Sequence, residues 1–226
     1  MIRVNAVVEG QAEETFVQEA LARHLAEFGV AMTPRRVEFG RKKGRIYRGG
    51  LLDYAKLRKD VINWLNQDTA AIVTTMIDLY ALPPNFPGRD EGAKIRDPHE
   101  RVIYLEEAFA RDVDCGRLVP NIQLHEFETI LFTDIARLAG YYPAYADPIQ
   151  KLVTEASAYA NPELIDEGKT TAPSKRILRE VPVYEKVVAG SVLAIDVGLP
   201  LIRAKCPHFN AWTSSLEQLG RTPLAP

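Results

Sequence analysis

Cysteine is nearly absent from this chain, with only Cys115 and Cys206 among 226 residues. Two thiols make neither a disulfide framework nor a zinc quartet. Long hydrophobic runs are missing as well. No apolar stretch approaches the roughly 20 residues needed to cross a bilayer, and Glu9 interrupts the first apolar run before it resembles a secretory leader. The pattern G-x-x-x-x-G-K-[ST] does not occur, so an ATPase activity would have to come from another chain. Neither sign of charge dominates, and a net charge of −2 exerts no global pull on a polyanion. Repeats and low-complexity tracts are lacking. Together these absences predict a cytoplasmic protein with free thiols and no membrane attachment.

What the chain does have is enough apolar material, 46% of its residues, to bury a sizeable core. IRVNAVV reads as a first strand, and Gln11 to Phe28 carries apolar residues at helical spacing until Gly29. MTPRRVEFG suggests a second strand. LLDYAKLRKDVINWLNQ suggests a helix, and AIVTTMIDLY is a continuous β-branched strand ending at Asp78. After a proline-rich loop, ALPPNFPGRDEG, the pattern predicts a helix from about Pro98 to Val113. LVPNIQLHEFE then reads as a strand, continued by TILFTDIARLAG as a helix. Strands alternating with helices predict an α/β fold, a mainly parallel sheet flanked by helices. Residues 1–140 form this core. Residues 141–226, proline-punctuated and mostly helical in pattern, form an extension packed on it.

In an open parallel sheet, functional groups gather at the carboxyl ends of the strands. Glu9, Asp78 and the group His125, Glu126 and Glu128 all fall at such ends, so three strand ends present acids to one edge. Clustered carboxylates repel one another and burial raises their pKa. A hard divalent cation, Mg2+ or Mn2+, relieves that cost and suits phosphodiester chemistry. The segment Arg35 to Arg48 holds seven basic residues and one acid, interleaved with Phe39 and Tyr47. Arg41, Lys42, Lys43, Arg45 and Arg48 are therefore candidates to hold a nucleic-acid backbone, and the other reading is a solvated hairpin.

The motifs VEGxxEExF, TTMIDLYALP, HEFE, APSKR and CPHFNxW resemble domain-of-unknown-function family 4276, and the resemblance spans almost the whole chain. That family is regarded as Toprim-like (Rossmann-like) and akin to the nuclease half of overcoming-lysogenisation-defect (OLD) proteins. The resemblance implies that Glu9 is a metal ligand or general base and Asp78 a metal ligand. Tyr80 stands where Toprim domains carry a second aspartate. Glu126 and Glu128 complete the shell if their backbone is extended, because residues two apart then share a face; in a helix they diverge. Lys175, with Arg176 beside it, or Lys186 is the lysine that meets the scissile phosphate, and spacing does not choose between them. The implied activity is a Mg2+- or Mn2+-dependent nuclease on DNA or RNA, linked to bacterial defence and working beside a separate ATPase.

Other residues have plainer readings. Glu13 and Glu14 suit the first turn of a helix, where a carboxylate meets the positive end of the dipole. Cys206 and His208 are too few for a zinc site and read as a packed corner with Phe209 and Trp212 in the core. Two rival functions stand beside the nuclease. One is a module that binds metal or nucleic acid without cutting. The other is a phosphatase or nucleotidyl-transfer enzyme acting on a small phosphorylated substrate.

Overall fold

In the computed structural model the described residues are 1–42, 45–48, 53–165, 168 and 170–221, and the side chains of residues 38–42 and 45–48 lie outside that description. Strand β1 (Ile2–Val8) is followed by helix α1 (Gln11–Phe16), a π turn (Val17–Leu21) and α2 (Ala22–Ala26). The regular helix expected over Gln11–Phe28 thus carries a widened turn at its middle. Gly29, at φ 76°, ends it with a left-handed residue that a side chain would strain, and its carbonyl receives the Ile2 amide at 2.9 Å.

Next come β2 (Val30–Arg36) and the hairpin β3 (Glu38–Lys42) and β4 (Arg45–Arg48). Helix α3 (Tyr54–Gln67) is capped by Asp53, whose carboxylate accepts from the Ala55 amide at 3.1 Å; Leu51 and Leu52, where the expected helix began, lie outside the described residues. Strand β5 (Ile72–Asp78) follows, then the short α4 (Arg89–Gly92) inside the proline-rich loop, and α5 (Pro98–Val113), capped by Asp97 with Pro98 in its first turn.

The expected LVPNIQLHEFE strand is instead two short ones, β6 (Leu118–Val119) and β7 (Ile122–Gln123). Pro120 offers no amide to a ladder. The Thr75 hydroxyl fills the break, donating to the Asn121 carbonyl at 2.8 Å and accepting from its amide at 2.9 Å. The helix expected over TILFTDIARLAG is mostly 3-10, at Phe127–Thr133 and Ile135–Arg137, and only α6 (Leu138–Tyr141) is α-helical. The remaining helices are α7 (Ala146–Ala156), α8 (Pro173–Glu180), a π turn (Lys186–Gly190), α9 (Ser191–Val197), α10 (Leu199–Lys205) and α11 (Pro207–Arg221).

The main sheet runs β2-β1-β5-β6, with β7 also on β5, and every pairing in it is parallel. Alternation along β1 sends Val4, Ala6 and Val8 to one face and Val7 to the other. The first face packs on α1, the 3-10 segment and α9 to α11, where Phe16 meets Phe127 edge-on at 5.7 Å and Phe209 at 6.1 Å. The second face packs on Leu57, Val61 and Leu65 of α3 and Val102, Leu105 and Phe109 of α5. Each such buried side chain contributes about 1.5–3 kcal/mol. Residues beyond 141 share the first core with β1 and α1. At Gly220, a Cβ would stand 1.8 Å from the Phe28 carbonyl, so α11 reaches the end of α2 only through a glycine. Cys206, Phe209 and Trp212 are buried together, as the packed-corner reading expects, and both cysteines are free. No single described helix is long and apolar enough to cross a membrane.

Candidate functional site

Strands β1 and β5 are parallel neighbours with Val8 opposite Met76, so the residues leaving their carboxyl ends emerge side by side. The Asp78 amide donates to Glu9 Oε2 at 3.3 Å, and the Glu9 amide to the Met76 carbonyl at 3.3 Å. Asp78 is only 5% exposed. Gly10 then lets α1 begin close by. A Cβ on it would lie 2.8 Å from Glu13 Oε2, and Glu13 is buried. The two first-turn glutamates therefore differ. Glu14 pairs with Arg36 at 2.8 Å, whereas Glu13 turns inward and adds its field to Asp78 and to Lys186. The sequence reading missed Glu13, although its place four residues after Glu9, across a glycine, was the available signal.

The HEFE corner resolves the choice left open between extended and helical backbone. His125 adopts φ 61°, Glu126 is extended, and a 3-10 helix starts at Phe127. Glu126 caps that helix through the Thr129 amide, and its Oε2 accepts from the Ser174 amide of α8 at 2.8 Å. Glu128 points elsewhere, fully buried, with Lys186 Nζ 2.9 Å from its Oε2. The same ammonium lies 3.7 Å from Asp78 Oδ2. His125 turns away from the acids, placing Nε2 2.8 Å from the Glu163 carbonyl.

Of the two lysines, the structure brings Lys186 to the cluster. Lys175 is exposed on α8, and Arg176 is buried against Glu155, Tyr159 and the Thr171 carbonyl. Tyr80 is 45% exposed in a short 3-10 turn after Asp78. Lys43 lies outside the described residues, as do the side chains of Arg41, Lys42, Arg45 and Arg48.

Three carboxylates, Glu13, Asp78 and Glu128, thus act on one ammonium at the carboxyl edge of the sheet, with Glu9 beside Asp78. Burial pushes the Asp78 carboxyl well above its usual range; Lys186 opposes this, and Glu9, Glu13 and Glu128 add to it. Burial likewise pushes Glu128 up to about 7 against the pull of Lys186. Burial alone would lower the Lys186 pKa, but Asp78, Glu128 and Glu13 outweigh it and hold the ammonium charged. Its side chain is 42% exposed overall, while its charged end lies among buried acids.

Asp78 Oδ1, Glu128 Oε1 and the Tyr184 hydroxyl are buried without hydrogen-bond partners, and Glu128 Oε2 faces the Lys186 ammonium at 2.9 Å. The donor set fits a hard divalent cation in type and in charge. Its present spacing is not that of a closed cage, since among the described residues no three His, Cys, Asp or Glu side chains stand close enough to hold a metal ion. Lys186 supplies the positive charge there. A cavity of about 610 Å³ lies elsewhere, between the 3-10 segment and α7.

The family model for a domain of unknown function, DUF4276, matches residues 8–217, a span that includes every one of these acids and Lys186. The chain belongs to the DUF4276 family. This DUF4276 chain is also similar, at 14% identity, to the solved C-terminal region of the OLD protein of Xanthomonas campestris pv. campestris, over 98% of this chain and 99% of that one, with a TM-score of 0.38. No curated protein matches it.

Proposed function

We propose that this DUF4276 chain is a Mg2+- or Mn2+-dependent nuclease acting on DNA or RNA, in the cytoplasm and beside a separate ATPase. One observation carries the reading: acids from the ends of two strands, a helix and a 3-10 turn converge on one rim around a lysine. Glu9, Asp78 and Glu128 would hold the cation, with Glu13 beside them. When bound, it supplies charge that polarises a phosphodiester. Lys186, released from the acids it now neutralises, can meet the charge that develops on the phosphate. Glu126 serves instead by fixing the corner that aims Glu128, since its carboxylate is engaged by the Thr129 and Ser174 amides. The basic hairpin would hold the polymer.

A second reading, a module that binds without cutting, has its own support in Tyr80 and in the lysine already seated between the acids. Plasmid nicking with manganese, run beside thermal melting, separates the two. Cleavage that EDTA abolishes supports the nuclease; stabilisation by manganese with no strand cut overturns it in favour of the binding module.

A further inference from the structure

The α3 side of the main sheet is unevenly covered. Over β1 and β5, α3 lays Leu57, Val61 and Leu65 on Val7, Val73 and Ile77. Nearer the β2 edge, the same face carries Arg3 and Asn5 of β1 and Ala31, Thr33 and Arg35 of β2, in register Arg3 with Ala31, Asn5 with Thr33 and Val7 with Arg35. The opposite face at these strands is apolar and buried, with Val4, Ala6, Val30 and Met32. A parallel sheet usually has apolar cover on both faces. Here, among the described residues, this polar strip and the end of α3 enclose a trough of about 400 Å³, within the size range of ligand clefts.

The trough has a defined chemistry. The Arg35 guanidinium lies over the Trp64 ring, 4.3 Å from its centroid, and Nε donates to Asn5 Oδ1 at 3.1 Å. No carboxylate among the described residues pairs with Arg35, so none of them neutralises its charge. At the other end Arg3 pairs with Asp68 at 2.6 Å. A stacked guanidinium and indole with a spare positive charge, beside an amide and a hydroxyl, suits a planar base attached to an anion. Val7, opposite Arg35, stands two residues before Glu9, about 7 Å along the strand. The Arg35 end of the trough therefore lies toward the carboxyl ends of β1 and β2, where the acid cluster sits, and its Arg3–Asp68 end lies toward their amino ends.

We propose that this trough is a subsite for single-stranded nucleic acid, stacking one base on the Arg35–Trp64 pair with neighbouring phosphates near the two guanidinium groups. The inference rests on the nucleic-acid reading of the function and adds where the strand lies away from the cutting site.

The chain has two tryptophans, and they report separately. Trp212 is 5% exposed with its indole N–H on the Thr74 hydroxyl, whereas Trp64 is part-exposed in the trough. Titrating the full chain in EDTA with an oligothymidylate single strand should quench the Trp64 emission, while duplex DNA quenches much less. Trp64→Leu should remove the quench and weaken single-strand binding about tenfold, and Arg35→Gln should weaken it and flatten its salt dependence. Both variants should keep the wild-type melting temperature and Trp212 emission. Unchanged single-strand affinity in Trp64→Leu, or no quench in the wild type, overturns the trough. A manganese nicking assay on the same proteins keeps the two readings apart. Quenching without cleavage sinks the nuclease and leaves the trough standing; cleavage by a wild type whose Trp64 emission no single strand quenches sinks the trough alone.

Discussion

Glu163 and Glu128 are both fully buried carboxylates, yet their surroundings are opposite. Glu163 is satisfied on both oxygens: Oε1 accepts from the Phe209 amide at 2.9 Å, and Oε2 from the His208 amide and His99 Nε2 at 3.0 Å each. It caps α11 and ties that helix to α5. Nearby, Glu106 does similar work at the sheet's edge, accepting the Ile122 amide at 2.7 Å and pairing with His208 at 3.0 Å. Glu128 and Asp78 have no such donors, only a shared ammonium and each other's repulsion. A buried acid that is fully bonded holds structure together. One that is left wanting stores a cost that a cation or a proton relieves.

The contrast can be broken most severely by truncation. Glu163→Ala strands two helix amides and His99, and should cost about 3 kcal/mol or more in urea unfolding. Asp78→Asn should do the reverse, leaving stability equal or higher because it removes a like charge, while lowering manganese-dependent nicking on the order of 100-fold. Equal destabilisation by both changes would erase the distinction.

pH sharpens it next. Glu128 keeps its proton to about pH 7 in the folded chain but loses it near 4.5 when unfolded, so the folded form holds the extra proton between those values. Stability should therefore fall as pH rises through that window, by an amount on the order of 3 kcal/mol, with no penalty below it. Glu128→Gln should flatten that slope in metal-free melts followed by circular dichroism. A slope unchanged in Glu128→Gln would remove Glu128 as its source.

Smaller effects test the framework. Thr75→Val removes the hydroxyl that spans the break at Pro120 and should cost about 1–3 kcal/mol, read by chemical denaturation. Lys175→Met should leave both nicking and melting unchanged, whereas Lys186→Met should impair nicking and, without metal, lower the melting temperature above neutral pH. A Lys175 variant that loses activity would reverse the assignment of the two lysines.

Much of this was legible in the sequence. The parallel sheet followed from the strand–helix order, and the meeting of Glu9 with Asp78 followed from where parallel strands end. The HEFE corner was not, because a left-handed histidine at 125 leaves no mark that glycine would have left, and that single torsion decides where Glu126 and Glu128 point. Glu13 was hidden by an ordinary alternative, the helix dipole. Lys186 stood level with Lys175 because only the path of the chain after α8 carries one of them back to the rim. The break between β6 and β7 could have been read from Pro120, whose missing amide forbids a continuous ladder.

The acids of the rim belong to the first 128 residues and their counter-charge to residue 186. On a ribosome, the carboxylates therefore emerge well before the ammonium that reconciles them. Until that later segment arrives, the half-made rim favours staying open to water and protons over closing, so the site matures only once the segment carrying Lys186 has been made.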